Sequence, residues 1–243
     1  MRLAVYGASG RMGRLVCEEA MRRPEVELVA AVSHGASDAI GKPSAPAEGS
    51  PPVEASYNGA CDAVIDFSVE EGTRAAVECA RRAKAALLVA TTGLSDSTLA
   101  FIRDAAKEIP VLRAANTSLG VVVGRRLVEQ AARLLGSEYD VDIVEAHHNR
   151  KRDAPSGTAL AFAESVARGG IEIDESRYHS LRGGDVVGEH VIRFAGPGEY
   201  LEIRHVAVSR TLFAVGAVRA AGWLCGRSPG EYDIRDAFAP DTG

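Results

Sequence analysis

The stretch Arg2-Leu3-Ala4-Val5-Tyr6-Gly7-Ala8-Ser9-Gly10-Arg11-Met12-Gly13 opens the chain and decides its fold class. Arg2 to Tyr6 is an apolar run of strand length. Three glycines follow at G-x-x-G-x-x-G spacing. Arg14 to Arg23 then reads as a helix, with Met12, Leu15, Val16 and Ala20 towards one face. Strand, glycine turn and helix in that order predict a dinucleotide-binding unit. One glycine lets the chain turn sharply, the next lets the backbone approach a pyrophosphate, and the last lets helix pack against strand. The helix N-terminus then faces the phosphates. A tight turn without a ligand is the competing reading.

The strand Val26 to Val32 ends at Ser33 and His34, where an NAD-binding unit often carries an acidic residue for the ribose 2′-hydroxyl. No carboxylate stands here to repel a 2′-phosphate, and Arg11 and His34 could lie near one. NADPH is therefore expected to serve at least as well as NADH. Gly35 to Gly59, rich in Pro, Gly and Ser, reads as loop with a short strand near Val53. Strands at Ala63–Phe67, Ala86–Ala90 and Val111–Ala114 then alternate with a helix over Gly72–Ala83 and a Ser95-capped helix to about Lys107. Such alternation predicts an α/β, parallel, doubly wound sheet. Ligands of such sheets sit at the carboxyl ends of the strands. Asp66-Phe67-Ser68, Thr91-Thr92-Gly93 and Ala115-Asn116-Thr117 all fall there, as a nicotinamide–ribose pocket or as turn chemistry.

Beyond a helix over Leu119–Leu135, ended by Gly136, a strand is expected from Tyr139 to Glu145, with His147 and His148 just past its end. Pro155 suits the first turn of a further helix reaching about Val166, with Asp153 as candidate cap. Val186–Phe194 and Tyr200–Val208 are strand-like, and Thr211–Leu224 reads as helix or strand. The run from Glu145 to Ala159 packs two imidazoles, a lysine and a helix N-terminus together. Imidazole donates a proton near neutral pH. Lys151 and free helix-start amides hold an anion, Gly157 admits it to the backbone, and Ser156 and Thr158 offer donors. The stretch thus predicts a site that grips a carboxylate and hands over a proton. Adjacent histidines leaving a strand point opposite ways, so no metal is expected.

The net charge of -5 over 243 residues argues against a nucleic-acid partner. Cys17, Cys61, Cys79 and Cys225 show no ligand spacing and read as free thiols of a reducing compartment. No apolar stretch is long enough to span a bilayer. Met1 leads at once into a strand-like run, so no leader and a cytoplasmic location are expected.

The glycine loop, Thr91-Thr92-Gly93, Glu145-Ala146-His147-His148 through Lys151 to Asp153-Ala154-Pro155-Ser156-Gly157-Thr158-Ala159, Gly188-Glu189-His190 and Gly216-Ala217-Val218-Arg219 together resemble the 4-hydroxy-tetrahydrodipicolinate (dihydrodipicolinate) reductase family. The resemblance runs over essentially the whole chain. It implies NADH- or NADPH-dependent reduction of a small cyclic dicarboxylate in lysine and diaminopimelate synthesis. It also implies a Rossmann-type domain over 1–117 completed by 217–243. An α+β substrate domain over 118–216 would carry a mixed sheet that builds a homotetramer. His147 matches the family's general acid and Lys151 its catalytic lysine. His148, Gly157 and Thr158 match the carboxylate clamp, and Ser156 is expected to join it. Gly7, Ala8, Ser9, Gly10, Arg11, Met12, Ala90, Thr91, Thr92, Ala114, Ala115, Asn116 and Thr117 match the cofactor side, and Ser33, expected beside them, leaves the choice of cofactor open. Ala90 replaces a common glycine, and Thr117 stands where an aromatic is frequent. Another two-domain nicotinamide oxidoreductase, such as an aspartate-type dehydrogenase, and a non-catalytic nucleotide sensor are the competing functions.

Overall fold

The computed structural model describes residues 1–238. In chain order the elements begin β1 (Arg2–Tyr6), α1 (Arg11–Met21), β2 (Glu27–Val32), β3 (Val53–Glu54) and β4 (Ala63–Asp66). Next come α2 (Glu70–Ala83), β5 (Ala86–Val89), α3 (Asp96–Ala105), β6 (Pro110–Arg113) and α4 (Leu119–Leu135). Then follow β7 (Asp140–His147), α5 (Gly157–Arg168), β8 (Tyr178–Arg182), β9 (Gly188–Gly196) and β10 (Glu199–Ala207). The chain closes with α6 (Thr211–Leu224), β11 (Gly230–Tyr232) and α7 (Ile234–Ala237). Two compact units result: Met1–Ser118 with Thr211–Gly243, and Leu119–Arg210. The boundary expected at 217 falls inside α6, a continuous helix, so the chain crosses at Thr211 instead. Positions 239–243 of the expected C-terminal return lie outside the described residues.

The first unit is a seven-stranded sheet in the order β11-β6-β5-β4-β1-β2-β3, with every pair parallel. Its central strands are buried on both faces, which is why they read as continuous apolar runs. Ala4, Tyr6, Val64, Leu87 and Val89 pack on α2 and α3. α6 lies against α1 and over β4 and β5. It is a helix because it is built of small residues that let it sit close, and a Cβ on Gly216 would come 1.8 Å from the Thr117 carbonyl oxygen. The strand order reverses between β1 and β4, and a crevice opens at such a switch point.

The second unit is a mixed four-stranded sheet, β10-β9-β7-β8, with β7 antiparallel to β9 and parallel to β8. α4 and α5 cover one face, around Phe162, Val128, Val166, Ile143, Ile192 and Phe194. Along β7, Val141, Ile143, Glu145 and His147 all turn to this buried side. His147 therefore lies within the strand rather than past its end. The strand is longer than expected because β8 extends the ladder to a His147–Arg182 pair. β8 itself is polar and largely exposed, so no apolar alternation betrays it.

Candidate functional site

The nucleotide end of the first unit is built by backbone geometry. Gly7 adopts φ +80, and a Cβ there would lie 2.3 Å from the Phe67 carbonyl oxygen. Gly13 packs so tightly on the turn that a Cβ would come 2.1 Å from the Gly7 oxygen. Gly10 is the N-cap of α1 and contributes no side-chain cap. That is why α1 starts at Arg11 rather than Arg14, and its first-turn amides are left for an anion. A cleft of about 580 Å³ opens beside this turn, lined by Gly7, Ser9, Gly10, Ser33, His34 and Ser68 among others. Ser33 closes β2 with its hydroxyl 2.5 Å from that of Ser9. Arg11 is exposed at the start of α1, with Met12 half-buried behind it. A neighbouring hollow of about 420 Å³ holds Ala8, Ser9, Arg14 and Lys42, together with Glu18 and Asp38.

Ala90, Thr91 and Thr92 follow β5, and Ala114 to Thr117 follow β6, on the same carboxyl rim of the sheet. They do not line the cleft, and their hydrogen bonds explain part of this. The Thr91 hydroxyl donates to Asp66 Oδ2 at 2.8 Å and accepts the Ser68 amide at 2.9 Å. Thr117 is buried, and its hydroxyl donates to the Phe213 carbonyl at 2.7 Å, tying it to α6. The Asn116 Oδ1 accepts the Ser118 amide in a local turn, beside exposed Ala115. Asp66, expected on this rim as pocket or turn chemistry, is its organiser: fully buried, it gathers Ser68, Thr73 and Thr91. Burial pushes its carboxyl up, and the hydrogen bonds only partly offset this. These features fit a dinucleotide: glycine backbone at the turn, an uncapped helix start, and a cleft free of carboxylate at the β2 end.

The histidine cluster lies in the second unit. His147 is 8% exposed, and its Nδ1 is hydrogen-bonded to Oε2 of Glu145, two residues back on the same face. Among the described residues its Nε2 has no hydrogen-bond partner and is not sealed from solvent. Burial lowers the His147 pKa, the Glu145 bond raises it, and Lys151 and Arg182 lower it again, leaving it below the ordinary imidazole value. Glu145 is 1% exposed. Burial pushes its carboxyl up, but hydrogen bonds from Arg182, Ser180 and His147 outweigh this and hold it at about 2. Arg182 grips it with both guanidinium arms, at 2.9 Å and 2.6 Å, and also donates to the Asp153 carbonyl at 2.7 Å.

Lys151 pairs with Asp153 at 2.8 Å. His148 is half-buried, and its field, with those of Arg150 and Arg210, bears on Asp185. Asp153 does not cap α5. Ser156 does, accepting the Ala159 amide at 3.1 Å, and Pro155 precedes the helix instead of lying in its first turn. The Ser156 hydroxyl is buried and shared with His190 Nε2 at 3.2 Å, so it is held within the fold rather than presented to an anion. Gly157 and Thr158 supply the first amides of α5, and a Cβ on Gly157 would meet nothing within 4 Å, so the approach to its backbone is open. Glu145 was legible, since it continues the alternation Val141, Ile143, Glu145, His147. His190 stood out only within the Gly188-Glu189-His190 motif, and Arg182 carried no local signal.

A family described as dihydrodipicolinate reductase, N-terminus, matches residues 1–117, and its counterpart, dihydrodipicolinate reductase, C-terminus, matches residues 120–238. The chain belongs to the dihydrodipicolinate reductase family. The 4-hydroxy-tetrahydrodipicolinate reductase of Alkalilimnicola ehrlichii is 41% identical over 263 residues, covering 98% of this chain and 98% of its own. That of Acinetobacter baumannii strain AYE is 39% identical, over 98% of this chain and 96% of its own. Dipicolinate-bound dihydrodipicolinate reductase from Paenisporosarcina sp. TG-14 shares the fold, with a TM-score of 0.76 at 22% identity over 96% of this chain and 97% of that one. This reductase is accordingly a nicotinamide-dependent oxidoreductase of lysine and diaminopimelate synthesis. Among its described residues no helix is long and apolar enough to cross a membrane.

Proposed function

We propose that this reductase converts the conjugated ring of dihydrodipicolinate to tetrahydrodipicolinate, with NADPH used at least as well as NADH and His147 as the proton donor. The observation that carries the reading is the His147 ring: one nitrogen is held by Glu145 and the other is open. A bound reduced nicotinamide supplies the hydride that reaches C4 of the ring. The protein's own share is the proton and the grip. As electron density moves to the ring nitrogen, the Nε2–H bond of His147 breaks and a C3–H bond forms. Lys151 holds one carboxylate and favours the developing negative charge. The amides of Gly157 and Thr158, with His148, clamp the other and fix the ring for attack. Gly7 through Met12 hold the pyrophosphate, Ala90–Thr92 and Ala114–Thr117 the nicotinamide side, and Ser33 admits a 2′-phosphate that a carboxylate would repel. Arg14 and Lys42, near Ser9, add positive charge in reach of that phosphate.

The assay follows NADPH oxidation with the aldol product of pyruvate and aspartate semialdehyde. His147→Gln lowers kcat by ~10²–10⁴ with a modest change in KM, the usual range for a lost general acid. Lys151→Ala damages both constants. A near-wild-type kcat for His147→Gln removes the acid assignment, and a strong NADH preference removes the cofactor assignment. A homotetramer built on the outward face of the mixed sheet belongs to the same reading. There Val144 and Val191 sit among the Arg193–Glu202 and Arg204–Glu189 pairs. Light scattering would give the mass of a single chain if that assembly is wrong. A soluble, cytoplasmic location completes it.

A further inference from the structure

Glu145 and Arg182 are absorbed by none of the roles above, and both are costly to keep. A carboxylate 1% exposed in an apolar layer is tolerated only with its charge and lone pairs answered. Here the answer is asymmetric. Arg182, paired opposite His147 across the parallel β7–β8 ladder, places Nη1 on Oε2 and Nη2 on Oε1. Its arms also reach the carbonyls of Leu181 and Asp153, so the fork cannot swing. Ser180 and Nδ1 of His147 complete the carboxylate's partners.

We infer that Glu145, locked by Arg182, is the positioning residue that selects the Nδ1–H form of His147 and so aims Nε2, carrying the transferable proton, at the substrate. This rests on His147 being the proton donor. An ionised carboxylate accepts and cannot donate, so the neutral ring beside it must carry its hydrogen on Nδ1. The imidazolium then bears its second proton on Nε2. When that proton leaves for C3, the ring relaxes to the form Glu145 already holds, and the Nε2 lone pair takes a new proton from solvent. The carboxylate itself never takes the proton.

The other titratable groups about the ring are Lys151 on the loop after β7, Arg182 on β8 and His190 on β9, whose ring stands edge-on at 5.1 Å. His205 on β10 lies behind His190. Lys151 and Arg182 disfavour the imidazolium, so Glu145 is the group that keeps His147 protonatable.

The test is a double-mutant cycle on the full-length enzyme, read as kcat against pH. Glu145→Gln should lower kcat at least about tenfold, as loss of an orienting carboxylate does in hydrolytic triads. The alkaline limb of the profile should move to lower pH, with substrate KM within about threefold. Glu145→Gln/His147→Gln should be no worse than His147→Gln alone. An unmoved limb, or a double variant a further tenfold down, overturns the inference. A near-wild-type His147→Gln instead overturns the acid assignment beneath it. Should Glu145→Gln fail to fold, nitrogen NMR of the wild-type His147 ring decides: the Nδ1–H tautomer is expected above its pKa, and Nε2–H refutes it.

Discussion

Replacing Asp66 separates a buried charge from the hydrogen bonds it organises. Oδ1 accepts the Ser68 amide at 3.0 Å and the Ser68 hydroxyl, while Oδ2 accepts the hydroxyls of Thr73 at 2.6 Å and Thr91 at 2.8 Å. These bonds join the ends of β4 and β5 to the first turn of α2. In Asp66→Ala the fully buried Thr73 hydroxyl and the half-buried Thr91 hydroxyl lose their acceptor, whereas the Ser68 amide keeps Thr91 Oγ1. An unsatisfied buried group costs about 1–3 kcal/mol, so together they cost about 2–6 kcal/mol. At about 2–4 °C per kcal/mol for a chain of this size, Tm should fall by roughly 10 °C.

Asp66→Asn should behave differently. The raised carboxyl pKa means that ionisation is harder in the fold than in the unfolded chain, so removing the charge relieves a cost. The amide oxygen can keep the Ser68 N–H, and both threonine hydroxyls can rotate to accept from the new NH₂. Its Tm should stay within about 1 kcal/mol of wild type, or roughly 3 °C. Thermal unfolding by circular dichroism at pH 7, with an NADPH titration by fluorescence, reads both variants. Asp66→Ala should also weaken NADPH about tenfold, a loss of about 1.4 kcal/mol, because Ser68 and Thr91 lose their anchor. An Asp66→Ala protein melting with wild type, or an Asp66→Asn protein as damaged as the alanine, refutes the reasoning.

His190 gives the fold an acid-sensitive point. Burial, assisted by the fields of His147 and His205, pushes it down to about 3, below the unfolded value near 6.5. The unfolded chain therefore takes up the proton first, and stability is lost as pH falls from about 6.5 towards 3, by about 1 kcal/mol or more per pH unit. Urea unfolding at pH 7 and pH 5 should show that gap shrinking in His190→Phe, and an unchanged gap would mean that the ring is already charged in the fold. Gly188→Val would place a Cβ 3.1 Å from His147 Nε2. It should lower kcat by ~10–10²-fold with Tm nearly kept, since misplacement at a reacting atom costs that much. Wild-type turnover in that variant would mean that Nε2 does not face the chemistry.

Much of this reductase could be read without coordinates, because its signals are local. A buried parallel strand is a short apolar run, and Arg2–Tyr6, Ala63–Asp66 and Ala86–Val89 stand out as such. The glycine turn is legible because only glycine survives at φ +80 or at contacts near 2 Å. The His147–Thr158 run is legible because a proton donor, a cation and a helix start lie within a dozen residues or so. The element ends were less so. The cap of α5 is Ser156 rather than Asp153, since the choice depended on which side chain turned inward to His190.

The sequence by itself determined the alternation of strands and helices in the first sheet and the glycine turn, and it singled out His147 as the candidate proton donor, since periodicity and residue chemistry act over a few positions. Only the tertiary structure decided that β8 pairs beside β7, that Arg182 thereby reaches Glu145, that Asp66 binds two strand ends together, and that α6 returns to the first sheet from Thr211. The reason is physical. A buried charge is tolerable only where partners distant in sequence converge on it, and convergence is a property of register and packing that no local pattern carries.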